Sequence, residues 1–104
     1  MSSDAHVYIP DDLKAKIPKI YATKDDDDPT VWIKLFTPDG GWTWYITEWD
    51  GDDLCFGFIN GFEEELGYFS LAEIAAVRGA LGLPVERDLY FTPRPLSQVR
   101  EQSR

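Results

Sequence analysis

Histidine and cysteine are almost missing from this chain: 104 residues hold one of each, His6 and Cys55. A single cysteine excludes an internal disulfide framework and a cysteine-based zinc cluster. A Ser–His–Asp or Cys–His site would have to recruit His6 from a polar N-terminal stretch expected to fray, so a nucleophile triad is a poor reading. No apolar run approaches the roughly 20 residues that span a bilayer, and no basic-then-apolar signal pattern opens the chain. A soluble, cytoplasmic protein with no membrane partner is the expectation. Phosphate-cradling and nucleophile-elbow patterns are missing too, with no GxGxxG, P-loop or GxSxG. Gly40-Gly41 reads as a turn, because no helix follows it.

Bases are scarce where acids are dense. Residues 25–76 hold thirteen acids against one base, Lys34, a net of −12 within a total of −9. The remainder is slightly basic. Binding to a phosphate backbone draws on clustered Lys and Arg, so direct nucleic-acid binding is disfavoured and a basic protein partner favoured. Solubility alone is the plainer account of such a charge.

Apolar material is plentiful. Hydrophobic residues make up 43% of the chain, and fifteen are Trp, Tyr or Phe. Each large aromatic buries about 150–250 Å², so one domain over residues 1–104 can close a core, with tails expected at 1–8 and 98–104. Pro10, Asp11 and Asp12 open a short helix carrying Leu13 and Ile17, stopped at Pro18. Residues 24–29, with four consecutive aspartates, read as an extended, solvated loop.

Period-two patterning then takes over. Val31, Ile33 and Leu35 share one face of a first strand. Trp42, Trp44 and Ile46 share a face of a second, with Thr43, Tyr45 and Thr47 opposite. Leu54, Phe56 and Phe58 share a face of a third, whose other face, at Cys55 and Gly57, is small enough to admit a close backbone or helix. Asp50-Gly51-Asp52 and Asn60-Gly61 are hairpin signals. A fourth, less regular strand is expected over residues 62–69. Ser70 and Glu73 form a capping box for a helix with Leu71, Ile74, Ala75 and Arg78 on one stripe, stopped by Gly79, Gly82 and Pro84. A short closing strand over residues 89–91 and a helical turn over 96–100 complete the reading. The fold class is α+β: an antiparallel β-meander of three to five strands, one main helix, and short helical segments packed on one face.

Three side-chain groups are candidates for function. Glu48, Asp50, Asp52 and Asp53 cluster at one hairpin, but their spacing is not that of a Ca²⁺-binding loop, and solvated carboxylates are the preferred reading; no metal or other cofactor is expected. Glu63, Glu64 and Glu65 would supply a general acid only if one were buried, and exposure is expected. Trp42 and Trp44 read as core, whereas Tyr45 and Trp49 are divided between core and recognition surface. Glu86, Arg87 and Asp88 read as an ion pair anchoring the last segment, with substrate binding by Arg87 as the alternative.

The stretches LKAKIPKIYAT, KLFTPDGGWTWYITE, FGFINGFEEELGYFSLAEI and GLPVERDLYFTPRPLS together resemble a family of small bacterial proteins known as domain of unknown function 2958, over residues 13–97. Such proteins look typical of plasmids and integrated mobile elements. Members tend to carry a longer insertion where this chain has residues 50–53, and proline where it has Glu64. The resemblance implies no catalytic residues. With the acidic segment, it makes a non-enzymatic interaction protein the first expectation. Such a protein could inhibit a basic, nucleic-acid-handling defence protein of the restriction or CRISPR type. Asp50, Asp52, Asp53, Glu63, Glu64 and Glu65 would then substitute for phosphates, and Tyr45, Trp49 and Arg87 would complete the binding set. The alternatives are a small ligand-binding domain or enzyme using a carboxylate beside Trp44 and Tyr45, and a homodimer joined through exposed sheet aromatics.

Overall fold

A computed structural model describes residues 8–102. The expected frayed stretch over residues 1–7, with His6, lies outside them. Within the described residues, the short helices α1 (Asp11–Lys14), α2 (Leu71–Ala76) and α3 (Leu96–Gln102) accompany seven strands. These are β1 (Thr30–Val31), β2 (Ile33–Phe36), β3 (Thr43–Trp49), β4 (Leu54–Asn60), β5 (Glu64–Ser70), β6 (Glu86–Arg87) and β7 (Arg94–Pro95). A five-stranded antiparallel sheet runs β5-β4-β3-β2-β6, and β1 pairs β7 in a separate two-stranded ribbon. The α+β meander expected from the sequence is therefore the fold.

Alternation sends side chains to two cores rather than one. Ile33, Leu35, Trp44, Ile46, Cys55 and Ile59 lie in the larger, closed over by Tyr8, Ile9, Ile17, Leu71, Ile74 and Val85. Tyr45 and Phe58 point the other way and join Val31, Leu96 and Val99. Helical segments thus cover both faces of the sheet, not one. The sequence concealed this because β3 is apolar on both sides of its pleat, a pattern that calls for cover on each face. Each fully buried Leu, Ile or Phe contributes about 2 kcal/mol, and that packing sustains helices too short to stand alone.

Five local expectations change. The first strand breaks at Trp32, so Val31 joins the smaller core and the β7 ribbon while Ile33 and Leu35 face the larger core. The closing strand is Glu86–Arg87, paired to β2, whereas Leu89 and Tyr90 are exposed turn residues. Tyr8 and residues 98–102, read as tail, are not: Tyr8 is buried in the larger core, and 98–102 are turns of α3, with Val99 in the smaller core. Residues 24–29 fold into turns instead of extending. Asp26 accepts the Asp28 backbone N–H, and the Asp28 carboxylate accepts from the Ser97 N–H and hydroxyl at the start of α3. Those Ser97 bonds hold the Asp28 carboxyl below its usual range. Local hydrogen bonding, to which short Asp side chains are suited, outweighs their mutual repulsion. Asn60 ends β4 and is not in the turn. Gly61 is required there because any side chain would strike the Trp42 indole.

Candidate functional site

The two long edges of the main sheet are finished differently. β6 is two residues long, and Asp88 beyond it pairs with Lys34 at 3.7 Å. β5 is seven residues long, pairs β4 in unbroken register, and has no strand on its outer side among the described residues. Beside β5 lies an open groove of about 390 Å³. Its floor is the smaller-core face of the sheet: Thr47, Glu48, Phe56, Leu66 and Tyr68. Tyr21, Thr23, Lys24, Asp26, Asp27 and Pro29 form one wall, and Leu96 and Arg100 of α3 the other.

A buried carboxylate shapes the first wall. The register of β3 against β4 shifts between Ile46 and Glu48, and Glu48, only 2% exposed, turns toward the loop at residues 21–23. Its carboxylate accepts the backbone N–H of Tyr21 at 2.8 Å, that of Thr23 at 2.9 Å, and the Thr23 hydroxyl. Tyr21 takes φ of 71°, in the left-handed region that a bulky residue rarely occupies. Backbone held this way recurs at functional sites. The grip presents the Tyr21 ring, 66% exposed, edge-on to Tyr68 with centroids 6.3 Å apart. Tyr68 in turn meets Phe56 at 4.9 Å.

Hydrogen bonding with Tyr21 first, then desolvation, then the nearby Tyr21 and Glu48, push the Tyr68 phenol up to about 12, so this ring is neutral at physiological pH. Tyr21→Phe should return Tyr68 to an ordinary phenol value of about 10. An absorbance titration at 295 nm, checked against Tyr68→Phe to assign the late-ionising group, reads this; no change in the late step would contradict the pairing.

The sequence-selected residues scatter. Glu48 is not a solvated hairpin carboxylate, because the 21–23 loop surrounds it. Asp50 accepts the N–H groups of Asp52 and Leu54 in a turn where Gly51 takes φ of 90°. Asp53 binds the Ser70 hydroxyl and the Ala72 N–H at the start of α2, while the Ser70 hydroxyl accepts from Glu73 N. Asp50 and Asp52 face solvent at that hairpin, Asp53 is half-buried, and the four acids do not converge. Glu63, Glu64 and Glu65 are exposed where β5 begins. Trp49 is core, donating from its indole to the Asp52 carbonyl at 3.1 Å.

Tyr45 stacks on Phe58 in the smaller core and borders a second hollow of about 300 Å³ with Lys34, Asp88, Phe91 and Arg94. Burial first, then Asp88, raises its phenol. Trp44 points to the opposite core, so no single surface carries both Trp44 and Tyr45. Arg87 sits at the far edge of the sheet from β5. The ion pair expected in its triplet is made by Asp88 to Lys34 instead. Cys55 is fully buried, and burial raises its thiol, leaving it protonated and unreactive.

Sequence reasoning missed Tyr21, Phe56, Leu66 and Tyr68. A signal existed for two of them, since Leu66 and Tyr68 alternate with Gly67 on a strand bounded by glutamates. None existed for Tyr21, whose position depends on Glu48, 27 residues away.

Among the described residues no helix is long and apolar enough to cross a membrane. No curated protein and no solved structure matches the chain. The sheet, the groove and the β5 edge all lie within residues 9–104, the span matched by the family model described as "Protein of unknown function (DUF2958)", and the chain belongs to that family.

Proposed function

We propose that this chain is a non-enzymatic interaction module that binds a basic protein. An inhibitor of a nucleic-acid-handling defence protein, encoded by a mobile element, would use such a module. The observation that carries the reading is the turn after β4. Phe62 is 93% exposed there, directly followed by Glu63, Glu64 and Glu65, all exposed. Leu66 and Tyr68 extend the apolar surface along β5. Large apolar anchors set among charges of one sign match how interfaces divide their work: the anchors supply affinity, and the charges supply partner choice and association rate. Phe62 is also backed rather than loose, packing edge-on against Trp42 at 5.4 Å, which itself stacks on Trp44. An anchor ordered before binding loses less entropy on docking.

The test is capture on the immobilised chain from nuclease-treated bacterial lysate at about 0.1 M and about 0.5 M salt. The expected result is a basic protein, retained at the lower salt, and lost with Phe62→Ala and with the triple change Glu63→Lys, Glu64→Lys, Glu65→Lys. Capture of an acidic protein, or capture indifferent to both variants, would overturn the reading. A second reading, a small-ligand site, draws support from the groove at Tyr21, Phe56 and Tyr68, whose volume is in the usual range for such sites.

A further inference from the structure

We infer that the outer edge of β5 accepts an extended, basic segment of the partner as an additional strand of the sheet. This rests on the reading of a basic partner above and specifies its conformation. In an antiparallel pair, every second residue turns its N–H and C=O away from its neighbour. β5 therefore offers a row of backbone donors and acceptors along an edge with no strand beside it among the described residues. Proteins usually blunt such edges with short strands, proline, bulges or covering loops. The β6 edge is blunted by its length of two residues. β5 runs seven residues, contains no proline, and shows no register shift against β4.

Charge is what β5 does have, and charge selects the occupant. Glu64 and Glu65 lie on opposite faces at its start, preceded by Glu63. A second copy of this chain brings the same glutamates and the same net charge of −9. A segment with Lys or Arg opposite Glu64 and Glu65 gains instead of losing. Side-chain space agrees. On one face Leu66 and Tyr68 stand half-exposed to receive an apolar neighbour. On the other, Gly67 carries no side chain, and a methyl added there would meet only Ile59 Cδ1, at 3.7 Å, so a residue from an incoming strand has room beside it.

The probe is a synthetic peptide of about nine residues, with two adjacent lysines placed to meet Glu64 and Glu65 and valines to meet Leu66 and Tyr68, with a twin N-methylated on alternate residues along its pairing edge. Methylation removes the backbone donors and keeps the charge. Amide exchange of the ¹⁵N-labelled full chain is followed with each peptide, and oligomeric state by light scattering. With the unmethylated peptide, the outward amides of β5 should exchange roughly tenfold more slowly or better, and the twin should bind at least about tenfold more weakly. Equal binding by both peptides, or protection confined to the groove, overturns strand addition while leaving a basic partner in place. Binding by neither also overturns strand addition, and the capture assay then decides the broader reading alone. Dimers with protected β5 amides in the absence of peptide overturn it in favour of a second copy.

Discussion

Replacing Gly57 with alanine should cost about 3 kcal/mol or more, among the largest losses available to a single methyl group in this chain. Gly57 sits mid-β4 opposite Ile46, and a Cβ there would drive into the carbonyl of Tyr45 on the neighbouring strand. The obstacle is backbone in the centre of the sheet, so no side-chain rotation relieves it. β3 would have to shift, disturbing Trp44 and Ile46 on one face and Tyr45 on the other. Gly67 is the internal control. It is the registered partner of Gly57 on β5, yet a methyl there makes only an ordinary contact with Ile59. Gly67→Ala should stay within about 0.5 kcal/mol of the parent, or gain slightly from a less flexible unfolded chain. Urea unfolding of the two variants measures the difference. Equal midpoints would mean that β3 and β4 are less tightly apposed at Gly57 than the structure shows.

Glu48→Ala should follow closely, at about 3 kcal/mol. The change leaves the Tyr21 and Thr23 N–H groups without their acceptor and opens a void beneath the 21–23 loop. Glu48→Gln, which keeps the shape and one acceptor oxygen, should cost about 1 kcal/mol. A loss of this size is a substantial part of the stability of a small domain and lowers the melting temperature by roughly 10–20 °C for the alanine variant. The variant also carries a specific signature. Once Glu48 no longer holds Tyr21 in the left-handed conformation, the phenol pair parts and Tyr68 should ionise near its ordinary value, as in Tyr21→Phe. Destabilisation without that shift would show that Glu48 supports the sheet but does not position Tyr21.

These two residues mark how far the sequence could be read. Gly57 was legible: small residues on one face of an aromatic strand predict a close approach, and β3 makes that approach. Ser70 was legible as a cap, because an N-cap serves backbone only a few residues away. Glu48 was not. It lies two residues from Asp50 and four from Asp52, and proximity along the chain suggested one acidic hairpin. The register shift in β3 turned it toward residues 21–23. Asp28 and Asp39 behave likewise, the first binding Ser97, the second accepting the N–H groups of Leu81 and Leu83. Several acids that the sequence presents as surface are acceptors for distant backbone. Exposed charge remains at Asp25 to Asp28, at Asp50 and Asp52, and at Glu63, Glu64 and Glu65.

The sequence by itself determined the hairpins of the central strands, the α+β class, the Ser70 cap, the Gly51 turn and the family. Each depends on period-two alternation, on local dihedral preference, or on motifs read in order along the chain. Only the tertiary structure decided that two cores flank the sheet, that Tyr21 faces Tyr68 across a groove, that Glu48 is buried, and that β5 rather than β6 offers the usable edge. Those features depend on register and on contacts between residues 25 to 69 positions apart. A short-range pattern carries no information about which distant backbone a carboxylate will meet.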